Sequence, residues 1–138
     1  MSVEVHVLFD RSRLPTRDEW QRQLDEAVLG VRLDSGFEPQ QAAGFQPMTF
    51  KERSTGCEFY LDEVDRDACP PSLEEYLDSR RTLASFRWGG DLDEMAAGLA
   101  AAASLAVLTN GIFLDPQDDT ILDEQGAIAM ALSELANL

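Results

Sequence analysis

Residues 82–116 read TLASFRWGGDLDEMAAGLAAAASLAVLTNGIFLDP, and their order decides the fold. Thr82, Ala84, Phe86 and Trp88 alternate with Leu83, Ser85 and Arg87, the period-two signature of a strand with one heavy apolar face. Gly89-Gly90 breaks that strand. Asp91 and Glu94 then form a capping box, and Asp93 adds negative charge where a helix is electrically positive. The predicted helix runs from Leu92 to Leu108. Leu92, Met95, Ala96, Leu99, Ala103 and Ala106 share one side. Ala97 and Ala100 to Ala102 keep the remainder thin, so this helix can lie very close to a sheet. Asn110-Gly111 stops it, Ile112 to Leu114 predicts a strand, and Asp115-Pro116 begins an acidic turn.

Towards the amino terminus, Val3, Val5, Val7 and Phe9 recur at period two opposite Glu4, His6 and Asp10, a half-buried strand. Pro15 and Thr16 open a helix whose capping box is Thr16 with Glu19. Trp20, Leu24, Ala27 and Val28 form its apolar stripe, and Gly30 is its expected stop. Val31 to Leu33 reads as a short strand, Ser35-Gly36 as a turn, and residues 38–44 as a polar loop. Phe45 to Arg53 is expected to pair with Gly56 to Val64 through a turn at Ser54-Thr55-Gly56. The second arm of that hairpin sets Cys57, Phe59 and Leu61 against Glu58, Tyr60 and Asp62. After Pro70-Pro71, Ser72 and Glu75 predict a second capping box and a short helix through Leu77.

Beyond the quoted stretch, Thr120 to Leu122 predicts a last strand. Asp123 is the N-cap of a final helix marked by Ile128, Leu132 and Leu135. The succession of elements predicts residues 1–138 as a single α+β domain, a mostly antiparallel sheet with helices packed on one face.

Composition narrows the function. The 138 residues hold 11 Lys and Arg against 26 Asp and Glu, a formal charge of −15. After Arg87 there is no lysine or arginine, yet nine carboxylates follow. Such a surface repels nucleic acid and anionic lipid and speeds encounter with a basic partner. A hydrophobic content of 44% supplies a core, which argues against disorder. Cys57 and Cys69 are too few for a disulfide scaffold and read as reduced thiols. Met1 to Phe9 lacks the charged and apolar regions of a signal peptide. Met95 to Leu108 is short for a membrane span. The expected location is the cytoplasm, without membrane or nucleic-acid contact.

No catalytic residue, cofactor or metal is expected. His6 is the only histidine, which limits general-base chemistry to one imidazole, and an exposed strand histidine is the simpler reading. Cys57 shares a face with Phe59 and Leu61, as a buried, inert thiol does, while Asp65 and Asp67 disfavour a thiolate at Cys69. Asp115, Asp118, Asp119, Asp123 and Glu124 lack the ordered spacing of a calcium loop. Gly89-Gly90 lacks the further glycine, lysine and hydroxyl of a phosphate-binding loop.

The stretch from Leu61 to Asp78, LDEVDRDACPPSLEEYLD, sets seven acids against one base, Arg66. A solvated loop and helix face would explain the charge alone. Tyr60 and Tyr76 add aromatic anchors within a negative rim, which fits an interface for a cationic partner. The candidate contact residues are Glu58, Tyr60, Asp62, Glu63, Asp65, Asp67, Glu74, Glu75 and Tyr76.

Residues 85–116 resemble a segment of small bacterial proteins in which an aromatic strand end and two glycines lead into an acid-capped, alanine-rich helix. A glycine-led strand ending in Asp-Pro follows. The residues that carry the likeness are Phe86, Trp88, Gly89, Gly90, Glu94, Gly111 and Asp115. Acidic single-domain proteins of this kind resemble immunity proteins, which neutralise toxins delivered between competing bacteria. The resemblance implies a fold element and a cognate toxin as partner, and it assigns no binding residue. The leading expectation is therefore an acidic cytoplasmic binding protein that occludes the basic active-site cleft of a toxin. The alternatives are a small-ligand or enzymatic domain with a pocket between the sheet and the 92–108 helix, and a structural or assembly subunit.

Overall fold

Strand β1 (Val3–Phe9) lies inside a seven-stranded antiparallel sheet, flanked by β5 (Thr82–Trp88) and β6 (Ile112–Asp115). Outward from β5 come β4 (Arg53–Glu63), β3 (Gly44–Phe50) and β2 (Val31–Leu33), and β7 (Thr120–Leu122) closes the other side. The helices are α1 (Arg17–Glu26), α2 (Glu74–Leu77), α3 (Leu92–Thr109) and α4 (Glu124–Ala136). The computed structural model describes every residue except Met1, Arg66, Ala68 and Pro70. The fold class is α+β, as the order of elements predicts.

Three helices cover one face of the sheet. Val5, Val7 and Phe9 of β1, Cys57 and Phe59 of β4, and Ala84, Phe86 and Trp88 of β5 form its buried floor. Helix α3 rests on these strands and touches α1 and α4. Its alanines let it approach the floor, and it is buried nearly all round from Ala96 to Ala106. By length and composition α3 could cross a membrane, but in this fold it is the core helix. Gly98 is essential to its seat, because a Cβ there would overlap the Trp88 ring. Beyond the alanines, Trp20, Phe37, Phe59 and Phe86 make a cluster of edge-on and tilted rings. The Trp20 indole N–H donates to the Ala101 carbonyl at 3.1 Å, tying α1 to α3.

The caps at Thr16, Asp91 and Asp123 form as expected, each side chain accepting backbone N–H groups of the first turn. The reciprocal bond differs at Asp91: Glu94 takes the N–H of Gly89 instead. Residues 71–73 coil into a 3₁₀ turn, so α2 starts at Glu74 without a side-chain cap, and the expected Ser72–Glu75 box is absent.

Three further differences have local causes. Phe50 pairs with Arg53, which leaves Lys51-Glu52 as a two-residue loop with φ of 50° and 67°. Those angles define a type I′ turn, the hairpin connection whose twist matches the strands. Gly56 therefore sits inside β4 rather than at the turn, where a Cβ would run into the Gln46 carbonyl and the Phe45 ring. Helix α1 ends one turn before Gly30: Leu29 N–H reaches Leu24 O and Val28 N–H reaches Asp25 O. This is a Schellman motif with Val28 in the left-handed position at φ 56° and 82% exposed. Leu92 and Leu132, expected on apolar stripes, are exposed: Leu92 opens α3 ahead of its buried run from Ala96, and Ala127, Ala131 and Leu135 bury the inner side of α4 in place of Leu132.

Among the described residues, the other face of the sheet carries only a small cover. Leu77 of α2, with Leu73 and Tyr76, packs on Leu8, Ile112, Leu114, Leu83 and Ile121. Leu8 projects away from Val7 and Phe9, so β1 is buried on both sides at its carboxyl end. That leaves the remainder of this face open.

Candidate functional site

Directly opposed residues of antiparallel strands project to one side, so the register assembles the open face row by row. The first row is Phe45–Glu58–Arg87–Glu4 across β3, β4, β5 and β1. The second is Tyr60–Ser85–His6–Leu114–Ile121 across five strands. The third is Asp62–Leu83–Leu8–Ile112, in which Leu83, Leu8 and Ile112 lie beneath α2 and its leading turn while Asp62 is exposed.

Polar contacts run across the first two rows. The Tyr60 hydroxyl donates to Glu58 at 2.6 Å, and this bond raises the phenol pKa. Arg87 donates to Glu4 at 2.9 Å. His6 Nδ1 lies 3.0 Å from the Ser85 hydroxyl, and Nε2 lies 3.5 Å from a Glu4 carboxylate oxygen. The His6 side chain is 17% exposed, a correction to the exposed histidine expected from the strand pattern. Ser85 on the neighbouring strand and Glu4 on the same strand lie against the ring. Desolvation lowers the His6 pKa, Glu4 and Asp115 oppose that shift, and Arg87 reinforces it.

The line Ser85–His6–Glu4 contains the residue types of a nucleophilic triad, but its setting does not suit acyl transfer. Strand β5 is paired on both sides, so backbone N–H groups around Ser85 are directed along the sheet into its neighbours. An oxyanion needs such donors aimed at the developing charge. Ser85 is also buried.

The structure divides the residues singled out from sequence. Glu58, Tyr60 and Asp62 stand on the open face of β4, as alternation requires. Glu63 has the opposite parity: it lies 3.9 Å from Arg11, and the Thr82 hydroxyl donates to it at 3.2 Å. Asp62, Glu63 and Asp65 meet Leu73 and Leu77 in a groove of about 210 Å³ between the end of β4 and α2. Asp67 donates its backbone N–H to the Asp65 carboxylate at 3.0 Å. Glu74 and Glu75 are exposed on α2, whereas Tyr76 is half-buried against the small cluster below it. Arg66, the one base of this stretch, lies outside the described residues.

Sequence reasoning passed over Phe45, Ser85 and Glu4 as part of this surface. Each is on the solvent-side parity of its strand, but only the pairing of β1 with β5 and β3 with β4 brings them together. A second cleft also went unseen. His6, Leu73, Leu83, Leu114 and Ile121 line a cavity of about 370 Å³, together with Asp115 and Asp119 of the β6–β7 turn.

Other chemistry is muted. Cys57 lies in the core, and burial pushes its thiol up to about 12, so it stays protonated and inert. It is not bridged to Cys69. Among the described residues no group of three His, Cys, Asp or Glu side chains is placed to hold a metal ion. Between the sheet, α3 and α4 there is a cavity of about 310 Å³, where the small-ligand alternative expects a pocket. Val3, Val5, Trp88, Met95, Leu99 and Phe113 face it, as do Asp115, Asp118 and Glu134. Neither His6 nor Arg87 reaches it.

Part of the acidity is architectural. Asp10, Asp34, Asp91, Asp115 and Asp123 accept backbone N–H groups at turns and helix starts. Glu19 and Glu94 do the same at α1 and α3. Comparison with known proteins finds no matching family model, no similar curated protein and no similar solved structure.

Proposed function

We propose that this chain is a protein-binding domain whose open sheet face docks on a basic macromolecular partner. In its finer form the reading is a cytoplasmic immunity-type protein that occludes the basic active-site cleft of a cognate toxin. The observation that carries it is the asymmetry of cover: α1, α3 and α4 seal one face, and the other presents aromatic and acidic side chains to solvent.

Phe45 is 56% exposed beside Glu58, and Tyr60 follows in the next row. Aromatic groups inside a polar rim are the usual energetic centre of an interface. Asp62, Asp65, Asp67, Glu74 and Glu75 flank that centre at one end, and Asp115, Asp118 and Asp119 belong to the turn at the other side of α2's cover. Seven strands at about 4.8 Å spacing span roughly 30 Å, wide enough for the ~800 Å² per partner of a standard interface. Negative charge raises the rate of encounter with a cation-rich cleft, and packing of the rings slows release.

Gene neighbourhood supplies the partner to test. A large secreted toxin encoded immediately upstream should form a stable stoichiometric complex with this protein and lose activity in it. A toxin that stays active in the presence of excess protein rejects the reading.

The 310 Å³ cavity beside α3 favours a second reading, a small-ligand domain. Its walls join apolar side chains to Asp115, Asp118 and Glu134, which suits a compact amphipathic cation, and saturable binding of such a probe with a shift in Trp88 fluorescence would support it.

A further inference from the structure

The cleft beside His6 is larger than the groove at Asp62, about 370 Å³ against about 210 Å³, and it extends over four strands of the sheet. Its base is formed by side chains of β1, β5, β6 and β7, and Leu73 of the 3₁₀ turn forms a wall. We propose that this cleft is a socket for one arginine or lysine side chain of the basic protein partner, so the inference rests on the docking role of the open face.

Size, lining and charge select that occupant. At about 370 Å³ the cleft is near the lower end of ligand pockets, which run from about 300 to 1,000 Å³. One long side chain with a few waters fits, and a large cofactor does not. Leu73, Leu83, Leu114 and Ile121 offer apolar surface for a methylene stem, the part of lysine or arginine that readily packs against such groups. Asp115 and Asp119 supply negative charge for its head, and among the described residues no lysine or arginine lines the cleft.

The chain carries no base after Arg87, so the β6–β7 wall has no cation of its own segment to neutralise it. An anion would meet two carboxylates. A purely apolar plug would draw these acids out of water without giving them a partner, which is costly. The imidazole at the base completes the argument. Both ring nitrogens already face Ser85 and Glu4, so His6 offers surface rather than a competing ligand. Burial disfavours its charged form, which spares an incoming cation from repulsion near neutral pH.

The probe is n-butylguanidinium, followed by methyl NMR of Leu83, Leu114 and Ile121. Saturable shifts at those methyls are expected, with a dissociation constant on the order of millimolar. n-Butanol and butyrate should leave them unmoved over the same range. Asp119→Asn should weaken the probe by about five-fold, since one nearby charge is lost. Asparagine tolerates the left-handed backbone at this position, φ 53°, so the variant is expected to fold normally. Absence of saturation, or equal shifts from n-butanol, overturns the socket.

A second arm separates this inference from the docking role. If Asp119→Asn and Asp115→Asn leave toxin affinity unchanged while Asp62→Lys abolishes rapid association, the socket fails and the docking face stands. If the toxin does not bind the wild-type protein at all, the docking role itself fails.

Discussion

The amide of Gln21 occupies the place beside Leu33 that another strand would take. Its Oε1 accepts the Leu33 N–H at 2.7 Å, and its Nε2 donates to the Val31 carbonyl at 3.1 Å. Helix α1 thereby closes the free edge of β2, and Arg17 adds bonds to the carbonyls of Leu33 and Asp34. An open edge invites pairing with another chain, so this contact protects against association there.

Gln21→Ala leaves two buried backbone groups without partners. The expected cost is about 2–6 kcal/mol, from one to three for each unsatisfied group. Urea denaturation measures it, and sedimentation should show concentration-dependent association of the variant through the uncovered edge. A stability within error of wild type would contradict this role for Gln21.

Val28 is a β-branched residue in the left-handed region and almost fully exposed. Its side chain contributes little packing while its backbone is strained, so Val28→Gly should stabilise the protein by about 1 kcal/mol. Thermal and chemical denaturation should agree in sign. Destabilisation would show that the valine packs better than its exposure implies.

Gly98 and Trp88 test how closely α3 seats on the sheet. Gly98→Ala gains about 1 kcal/mol of helix propensity, but its methyl meets the indole, with Cζ3 only 2.6 Å away. Overpacking of this kind costs about 1–3 kcal/mol, so a net loss is expected, with altered tryptophan fluorescence. Adding the same substitution to a Trp88→Leu background should instead stabilise, because the clash is gone and the propensity gain remains. Equal effects in both backgrounds would contradict the close seat.

His6 gives stability a pH dependence with a definite sign. Its folded pKa lies below the ordinary 6.5, so below that value the unfolded chain binds more protons than the fold. The stabilisation is complete above pH 6.5 and is lost as pH falls through the folded pKa. Ser85, Glu4, Arg87 and Asp115 surround the ring and set the size of the effect. Urea titrations at pH 7.5 and 5.5 should show a larger loss for wild type than for His6→Gln. An identical loss would remove His6 from the balance.

The strands and the long helix were legible because their residues alternate or recur without interruption. The alternation of Cys57, Phe59 and Leu61 against Glu58, Tyr60 and Asp62 gave β4 its two faces, and the caps at Thr16, Asp91 and Asp123 marked helix starts. The hairpin turn was hidden because Lys51-Glu52 lacks the asparagine and glycine that advertise a type I′ turn, while Gly56 mimicked one. The end of α1 was hidden because a valine holds the position that glycine usually fills.

The candidate site was legible only by parity. Tyr60 and Asp62 could be placed on one side of β4, but the Tyr60–Ser85–His6–Leu114–Ile121 row depends on strand order. Its members lie far apart in sequence, and no local pattern reports which strands become neighbours. The separation of Glu63 from Asp62 followed from period two, yet the run of acids obscured it.

The central claim is that the open face, and not acidity at large, meets the partner. The direct measurement is the association rate with the proposed toxin partner at low salt for two variants of equal charge change. One carries Asp62→Lys with Glu74→Lys on the open side, and the other carries Glu26→Lys with Glu134→Lys on the helical side. The open-side variant should associate about ten-fold more slowly, and the helical-side variant within about two-fold of wild type. Equal rates for the two variants would contradict the claim and leave the charge as a property of the whole surface.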